Sequence, residues 1–197
     1  GNLSTFTGKA VASGLADMFE SITGAMCGLA GPRHGKANQE CLTFVSECIH
    51  AVGGDLSKEA VRELVERRLE NRQLIFGFGH AVLRVEDPRA TVLIGEGEKL
   101  APDHQYFRMV RLLREVAPPI LSQNPKISDP YANVDLASGS LLYACGLTDP
   151  DYYTVLFGMA RVVGIAIQIV YERCEARGGR GTPIVRPKYV YHPTGSA

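Results

Sequence analysis

Apolar residues recur at helical spacing along most of the chain, and clusters of glycine and proline separate the periodic segments. The first segment, residues 3–26, carries one apolar stripe among small residues, which predicts a helix that packs closely against a neighbour. That stripe consists of Val11, Ala12, Leu15, Met18 and Phe19. Residues 28–32 break the pattern, and a second helix is predicted from about Ala37 to Gly53-Gly54.

Capping signals predict four further helices in the middle of the chain. Their predicted starts are Ser57, Asp87-Pro88, Asp103 and Asn133. Serine, aspartate and asparagine accept hydrogen bonds from the free N–H groups of a first helical turn, and proline is tolerated there. Pro118-Pro119 is predicted to end the third of these helices, because an interior proline removes a helical hydrogen bond. Gly146 is predicted to end the fourth.

The last long segment, residues 151–177, is apolar on nearly all sides, which predicts a central, buried helix. Arg161 and Gln168 interrupt its apolar run, so we do not expect it to cross a membrane. Residues 184–191 form the single segment that suits an extended conformation. The predicted fold class is therefore mainly α, a multi-helical fold.

Composition narrows the class of protein further. The apolar fraction is 45% and the charged fraction 21%, as in soluble globular proteins. Lysine and arginine equal aspartate and glutamate in number, so no net charge attracts nucleic acid or an anionic membrane. The five cysteines lack the spacing of metal ligands, and we expect them to be reduced and to bind no metal.

Residues 76–89 look least like ordinary packing sequence. Gly77 and Gly79 flank an aromatic residue, His80 follows directly, and two arginines come within the next nine residues. Glycines permit a tight turn or a close approach to a ligand, and arginines bind carboxylate or phosphate. One interpretation is a histidine presented to an anionic ligand. The other is a glycine-rich helix connection with a surface histidine.

Three more residues have a functional and a structural interpretation. Arg161 lies in an apolar helix and needs an anionic partner, which is either a core carboxylate or a ligand carboxylate. Asp135 begins a helix, and it either caps that helix or acts as a general base whose pKa burial has tuned. His34 precedes a helix N-terminus, where it either bonds backbone or donates to a developing oxyanion.

Taken in order, these residues lie in motifs that resemble those of citrate synthase, and the resemblance covers almost the whole chain. The motifs are Gly-Leu-Ala-Gly-Pro-Arg-His34-Gly-Lys-Ala-Asn-Gln, Gly-Phe-Gly-His80-Ala-Val-Leu-Arg84-Val-Glu-Asp-Pro-Arg89, Asn133-Val-Asp135, Phe157-Gly-Met-Ala-Arg161 and Arg186-Pro-Lys. The resemblance implies condensation of acetyl-CoA with oxaloacetate, followed by hydrolysis of citryl-CoA to citrate and CoA.

The resemblance also implies three catalytic roles. Asp135 would remove a methyl proton from acetyl-CoA, and His34 would hydrogen-bond the thioester oxygen as the enol forms. His80 would polarise the ketone of oxaloacetate. No cofactor is implied, because acetyl-CoA is a substrate.

The remaining roles that the resemblance implies concern binding. The oxaloacetate carboxylates would be held by Arg89, Arg161 and Arg186, the last supplied by the other subunit of a homodimer. Phe157 would lie against the same substrate. CoA would meet the glycine-rich segment around His80, through the set Phe76, Gly77, Phe78, Gly79 and Arg84. The chain is expected to form a homodimer or a higher homo-oligomer, and neither nucleic acid nor a membrane is expected as a partner.

The resemblance implies three segments: residues 1–34 and 147–197 belong to a partly present large domain, and residues 35–146 form a complete small domain. The chain starts inside a Ser/Thr-rich segment, so we expect residues upstream of Gly1. The resemblance implies a further oxaloacetate-binding histidine among them. Residues 1–197 alone are therefore expected to form little or no citrate. The bacterial cytoplasm is the expected compartment, with the mitochondrial matrix as the alternative.

Besides the citrate-cleaving module of ATP-citrate lyase, which runs related chemistry in reverse, two other functions remain open at the level of sequence. One is 2-methylcitrate synthase, which would use propionyl-CoA with the same catalytic residues; one methylene is worth only about 1–3 kcal/mol of discrimination. The other is a non-catalytic helical module that binds CoA or a partner through a degenerate site.

Overall fold

The computed structural model describes residues 1–80 and 82–188, and within these ranges the chain is helical and contains no strand. The predicted fold class, mainly α, is confirmed. The helices are α1 (Leu3–Ser13), α2 (Met18–Leu29), α3 (Ala37–Ala51), α4 (Lys58–Glu70), α5 (Pro88–Leu100), α6 (Gln105–Leu121), α7 (Val134–Ala144), α8 (Asp151–Cys174) and α9 (Ala176–Gly179). Residues 184–188 of the predicted extended segment are in neither helix nor strand, and residues 189–191 lie outside the described ranges.

Contacts divide the chain into two compact units. Unit 1 comprises residues 1–29 and the residues from 158 onward, and unit 2 comprises residues 30–157. These borders differ from the predicted domain borders at 34/35 and 146/147. The assignment of the units to a large and a small domain stays a prediction.

Unit 2 is built around α6, which packs against α3, α4 and α7. Each of these helices turns an apolar stripe inward, as a helix with a 3.6-residue period can. Fully buried members of the stripes include Phe44, Val61, Phe107, Leu113 and Leu136. Burial of such a side chain stabilises the folded state by about 1.5–3 kcal/mol. This core therefore supports the segments of unit 2 that carry His34, His80 and Asp135.

The predicted starts at Ala37, Ser57 and Asp87-Pro88 are confirmed by α3, α4 and α5. The predictions for α6 are wrong at both ends. His104, not Asp103, precedes its first residue, and Pro118-Pro119 lies inside its last turn. The helix continues because Ile120 and Leu121 bury their side chains in the core, which offsets the hydrogen bonds that the two prolines cannot make.

Residues 3–26 form two helices, so the prediction of one continuous stripe is wrong. Leu15 has a φ of +66° and breaks the chain direction after α1. Asp17 and Glu20 then form a capping box, in which each side chain accepts a hydrogen bond from the other's backbone N–H at 2.8–2.9 Å. As a result, Leu15 and Phe19 are exposed rather than packed.

The prediction that the long apolar helix is buried is also wrong for this chain. In unit 1, Ile165 and Ile169 of α8 are buried in a small cluster with residues of α1 and α2. Met159, Val163 and Ile167, which point elsewhere, are more than half exposed. By length and composition alone α8 is long and apolar enough to cross a membrane, even though Arg161 and Gln168 lie within it.

Candidate active site

Asp135 lies in the first turn of α7, in unit 2, and it does not cap that helix. The cap is Asn133, whose side chain accepts a hydrogen bond from the N–H of Asp135 at 3.0 Å. The structural interpretation of Asp135 as a helix cap is therefore excluded. Its carboxylate is left for chemistry or for an electrostatic role.

The environment of Asp135 raises its pKa from 3.8 to about 6. Burial is the largest cause, because a low-polarity surrounding penalises the charged carboxylate. The positive charge of Arg89 lowers the pKa, and the negative charge of Asp87 raises it. A carboxylate with a pKa near 6 is mostly ionised at neutral pH, yet basic enough to accept a proton from carbon in a favourable site.

Asp87 is a buried carboxylate that links α5 to α7. It is 1% exposed and accepts hydrogen bonds from Nε and Nη2 of Arg89 at 3.0 and 2.7 Å. It also accepts from the backbone N–H of Arg89 and, at 3.3 Å, from that of Val134. The Arg89 hydrogen bonds hold the pKa of Asp87 below its ordinary value, so Asp87 stays ionised beside Asp135.

Asp87→Asn in the full-length protein is expected to lower the apparent pKa of Asp135. The substitution removes the negative charge that raises that pKa and weakens the ion pair that engages Arg89. The pH profile of kcat/KM should show its acidic limb shifted to lower pH. The control is Glu96→Gln, which removes an exposed carboxylate from the same helix, α5. An equal shift in both variants, or no shift in Asp87→Asn, contradicts the expectation.

The loop that carries His80 is docked against the segment that leads into α7. Backbone atoms of Phe78 and Ala132 form an isolated antiparallel bridge. The N–H of Gly79 donates to Tyr131 O at 3.0 Å, and the N–H of Asn133 donates to Gly77 O at 2.9 Å. His80 and Asp135 are thus attached to the two sides of one hydrogen-bonded pair of segments.

His80 has one ring nitrogen already engaged. Its Nδ1 accepts hydrogen bonds from the backbone N–H groups of Val82 and Leu83, at 3.0 and 2.9 Å. A nitrogen that accepts carries no proton, so the neutral ring carries its proton on Nε2. This tautomer offers a hydrogen-bond donor, which is what polarisation of a carbonyl oxygen requires.

The predicted CoA-binding glycines use their backbone atoms within the protein. Gly77 O, Gly79 N and Gly79 O all bond to residues 131–133. The rings of Phe76 and Phe78 pack against the core of unit 2. Arg84 is exposed, and its guanidinium donates to the carbonyls of His80 and Leu83 at 3.1 and 2.6 Å. The CoA assignment stays a prediction, and Arg84 is its most accessible member.

His34 lies in the turn that precedes α3, in unit 2. Its ring meets that of Phe157 edge to face, with centroids 5.7 Å apart and an interplanar angle of 82°. On α3, Asn38 hydrogen-bonds Ser138, one turn after Asp135 on α7. The helix that follows His34 is therefore joined directly to the helix of Asp135.

Arg161 and Arg186 lie in unit 1. Arg161 is half-buried, and its Nη1 donates to Ser4 Oγ at 3.5 Å. It lines a pocket of about 450 Å³ together with Asn2 and Lys9 of α1 and its approach. Arg186 is exposed. The lining of this pocket is mixed, because Phe6 and Ile165 lie beside its polar and charged side chains.

Sequence reasoning missed the two residues that connect the site, Asp87 and Asn133. Both had been interpreted as helix caps only. The caps are confirmed, yet each side chain also bonds a second element. The usable signal was that both lie beside predicted site residues, Asp87 within the loop of His80 and Asn133 two residues before Asp135.

Unit 2 therefore brings a carboxylate of raised pKa and a histidine that offers an N–H donor onto docked segments of a helical scaffold. The family model described as citrate synthase, C-terminal domain, matches residues 1–188. The chain belongs to the citrate synthase family, and the predicted resemblance is confirmed.

Individual relatives agree with this membership. The protein described as mitochondrial citrate synthase of Fragaria ananassa is 43% identical over 190 residues, which is 96% of this chain and 39% of that protein. Mitochondrial 2-methylcitrate synthase of Yarrowia lipolytica is 41% identical over 188 residues, 95% of this chain and 39% of that protein.

A solved structure is also similar. Citrate synthase of Thermoplasma acidophilum, in a ternary complex with carboxymethyl coenzyme A and oxaloacetate, superposes with a TM-score of 0.76 at 27% identity. The match covers 98% of this chain and 48% of that one. The chain spans about two fifths of the length of the curated relatives it matches.

Proposed function

We propose that this chain supplies the acid–base half of a citrate synthase, which condenses acetyl-CoA with oxaloacetate and hydrolyses citryl-CoA to citrate and CoA. The observation that carries the proposal is the raised pKa of Asp135, about 6, on a helix start docked to the loop of His80. A carbon acid needs a base and an oxyanion donor together, and a ketone needs its own donor.

The proposed steps use groups of unit 2. Asp135 takes a proton from the methyl carbon of acetyl-CoA, while a ring N–H of His34 stabilises the enol oxygen. Nε2–H of His80 donates to the ketone oxygen of oxaloacetate, and the enol carbon forms the new carbon–carbon bond at the ketone carbon. Water then cleaves the thioester of citryl-CoA, which releases CoA and citrate.

The remaining side chains would bind substrate. Arg89 of unit 2 and Arg161 and Arg186 of unit 1 would each supply positive charge for a carboxylate of oxaloacetate. Phe157 would contact the same substrate. Arg84 would meet a phosphate of CoA. We further propose a homodimer to which each subunit gives Arg186, and no cofactor beyond the two substrates. Sedimentation equilibrium of the full-length protein tests the dimer.

Substrate choice is tested by comparing kcat/KM for acetyl-CoA and propionyl-CoA with oxaloacetate as the common acceptor. Citrate synthase predicts a preference for acetyl-CoA of at least about 10-fold, because one methylene is worth 10–200-fold. The control is Asp135→Asn, which should lose both activities. A preference for propionyl-CoA contradicts the assignment.

The second candidate is 2-methylcitrate synthase. It is supported by the Yarrowia lipolytica enzyme, which is nearly as similar to this chain as the plant citrate synthase is. Both reactions would use the same base and the same histidines, so the two acyl-CoA rates separate them. A non-catalytic module would show neither rate. The raised pKa of Asp135 favours a catalytic site instead, because strongly shifted pKa values are concentrated at functional sites.

The compartment follows from the same relatives. The two curated relatives are described as mitochondrial, which supports the mitochondrial matrix for this protein. The bacterial cytoplasm, the compartment first expected from the sequence, is supported by the similar citrate synthase of Thermotoga maritima, which is 32% identical with a TM-score of 0.79 and covers 100% of this chain and 50% of that one. Immunodetection in fractionated cells of the source organism tests the choice.

A further inference from the structure

The side chain of Asn133 joins the segment of His80 to the helix of Asp135. Its Oδ1 accepts a hydrogen bond from the N–H of Asp135 at 3.0 Å, which caps α7. Its Nδ2 donates to Gly79 O at 2.9 Å, 54 residues away in sequence. The amide of Asn133 is thus hydrogen-bonded both to Gly79, which directly precedes His80, and to the backbone of Asp135, the proposed base.

Gly79 is the position at which such support matters. Its φ is +85°, and it has no side chain to lock the backbone. Its carbonyl belongs to the peptide plane that leads into His80. A hydrogen bond to that carbonyl fixes the plane, and with it the direction in which the ring leaves the backbone.

We propose that Asn133 is a positioning residue that orients His80 relative to Asp135, so that one amide aligns the electrophilic donor with the base. The inference rests on the proposed function and deepens it. A displacement of about 1 Å in such a constellation can cost 10²-fold in rate. Catalytic side chains therefore need supporting groups that lock them in the productive orientation.

The residue type fits this role better than capping alone does. Serine and threonine cap a helix about as well, and Ser57 does so for α4 with its Oγ accepting from Ala60 N at 3.2 Å. A hydroxyl can donate and accept, but both bonds start from one oxygen on a shorter side chain, so it cannot reach Asp135 N and Gly79 O together as the two ends of the amide do. Asn133→Ser therefore keeps the cap and removes the bond to Gly79.

The test is Asn133→Ser in the full-length enzyme, with three readouts. Citrate formation should fall about 10–100-fold. The infrared carbonyl stretch of bound oxaloacetate should move at least half of the way back to its value in water, because His80 no longer aligns. Deuterium exchange into the methyl group of acetyl-CoA, measured with ketone-free malate bound, should stay within about threefold, because Asp135 keeps its capped helix.

Ser57→Ala is the matched control, since it removes a cap from α4 of the same unit without touching the loop. It should lower the urea midpoint and leave the carbonyl stretch unchanged. Asn133→Thr should reproduce the Asn133→Ser result. An unshifted carbonyl stretch in Asn133→Ser, or an equal shift in Ser57→Ala, overturns the positioning role.

Failure of the proposed function is distinguishable from failure of this inference. A wild-type enzyme that forms neither citrate nor 2-methylcitrate contradicts the proposed function. Amide hydrogen exchange then still tests the connection: Asn133→Ser should raise exchange in residues 76–83 at least about 10-fold and leave residues 134–140 unchanged. Equal exchange in wild type and variant over residues 76–83 overturns the connection, whatever the activity.

Discussion

Asp135→Asn is expected to lower kcat for citrate formation by about 10²–10⁴-fold, the usual contribution of a general base. Asparagine preserves the size of the side chain and its place in the first turn of α7, but it accepts no proton at neutral pH. KM for oxaloacetate should change little, because Asp135 is not among its proposed ligands. A variant with kcat within threefold of wild type would refute the assignment of the base.

The same substitution is expected to stabilise the folded protein at neutral pH. The pKa of Asp135 is about 6 when folded and 3.8 ordinarily, so the folded state binds the proton more tightly. The ionised carboxylate therefore opposes folding above pH 6, and this penalty disappears as the pH falls through 6 towards 3.8. Two pK units correspond to about 3 kcal/mol, and partial exposure reduces this to ~1–2 kcal/mol.

Urea unfolding at two pH values checks this expectation. Asp135→Asn should unfold at a higher urea concentration than wild type at pH 8, and at nearly the same concentration at pH 4. Asp151→Asn, at the exposed start of α8, serves as the control. A lower midpoint for Asp135→Asn at pH 8 would mean that the carboxylate stabilises the fold instead.

Gly77→Ala is expected to destabilise the folded protein by about 2–5 kcal/mol. Gly77 has a φ of +82°, which costs an L-residue about 1–2 kcal/mol. An added Cβ would also lie 2.8 Å from Leu136 Cβ and 3.0 Å from Cys41 Sγ, and overpacking of this kind costs about 1–3 kcal/mol. Because Leu136 follows Asp135, the clash would also displace the base.

Gly53→Ala separates the two causes. Gly53 shares the positive φ, +59°, but has nothing within 4 Å of an added Cβ. It should lose only about 1 kcal/mol, and kcat should be unchanged. Equal urea midpoints for the two variants would show that backbone strain, rather than contact with Leu136 and Cys41, decides the cost at Gly77.

Helix boundaries were predictable where a local side chain determines them. Ser57 and Asp87-Pro88 act through hydrogen bonds or torsions within one turn, so their effect can be read from neighbouring letters. Pro118-Pro119 failed as a stop signal, because the burial of Ile120 and Leu121 is a tertiary effect. The break at Leu15 was missed although the capping box of Asp17 and Glu20 marks it.

The members of the candidate site were predictable, but their connections were not. His34, His80 and Asp135 stand out by residue type and motif. The pKa of Asp135 depends on burial and on Asp87 and Arg89, which approach it only in the folded chain. The burial of α8 was mispredicted for a similar reason, because its composition says that it is apolar but not what covers it.

Glu86 and Asp87 are neighbours in sequence, but they hold different elements. Glu86 accepts two hydrogen bonds from Arg114 of α6, at 2.8 and 2.7 Å, while Asp87 bonds α5 and α7. Gly79, at the other end of the Arg84 segment, is hydrogen-bonded to Asn133. Both ends of this segment are therefore attached to helices of unit 2 or to residues directly before them. Ordering a free loop costs about 1–2 kcal/mol per residue. A ligand that meets Arg84 and its exposed neighbours Val82 and Val85 thus binds to a segment whose two ends folding already holds, which lowers the entropic cost of ordering it.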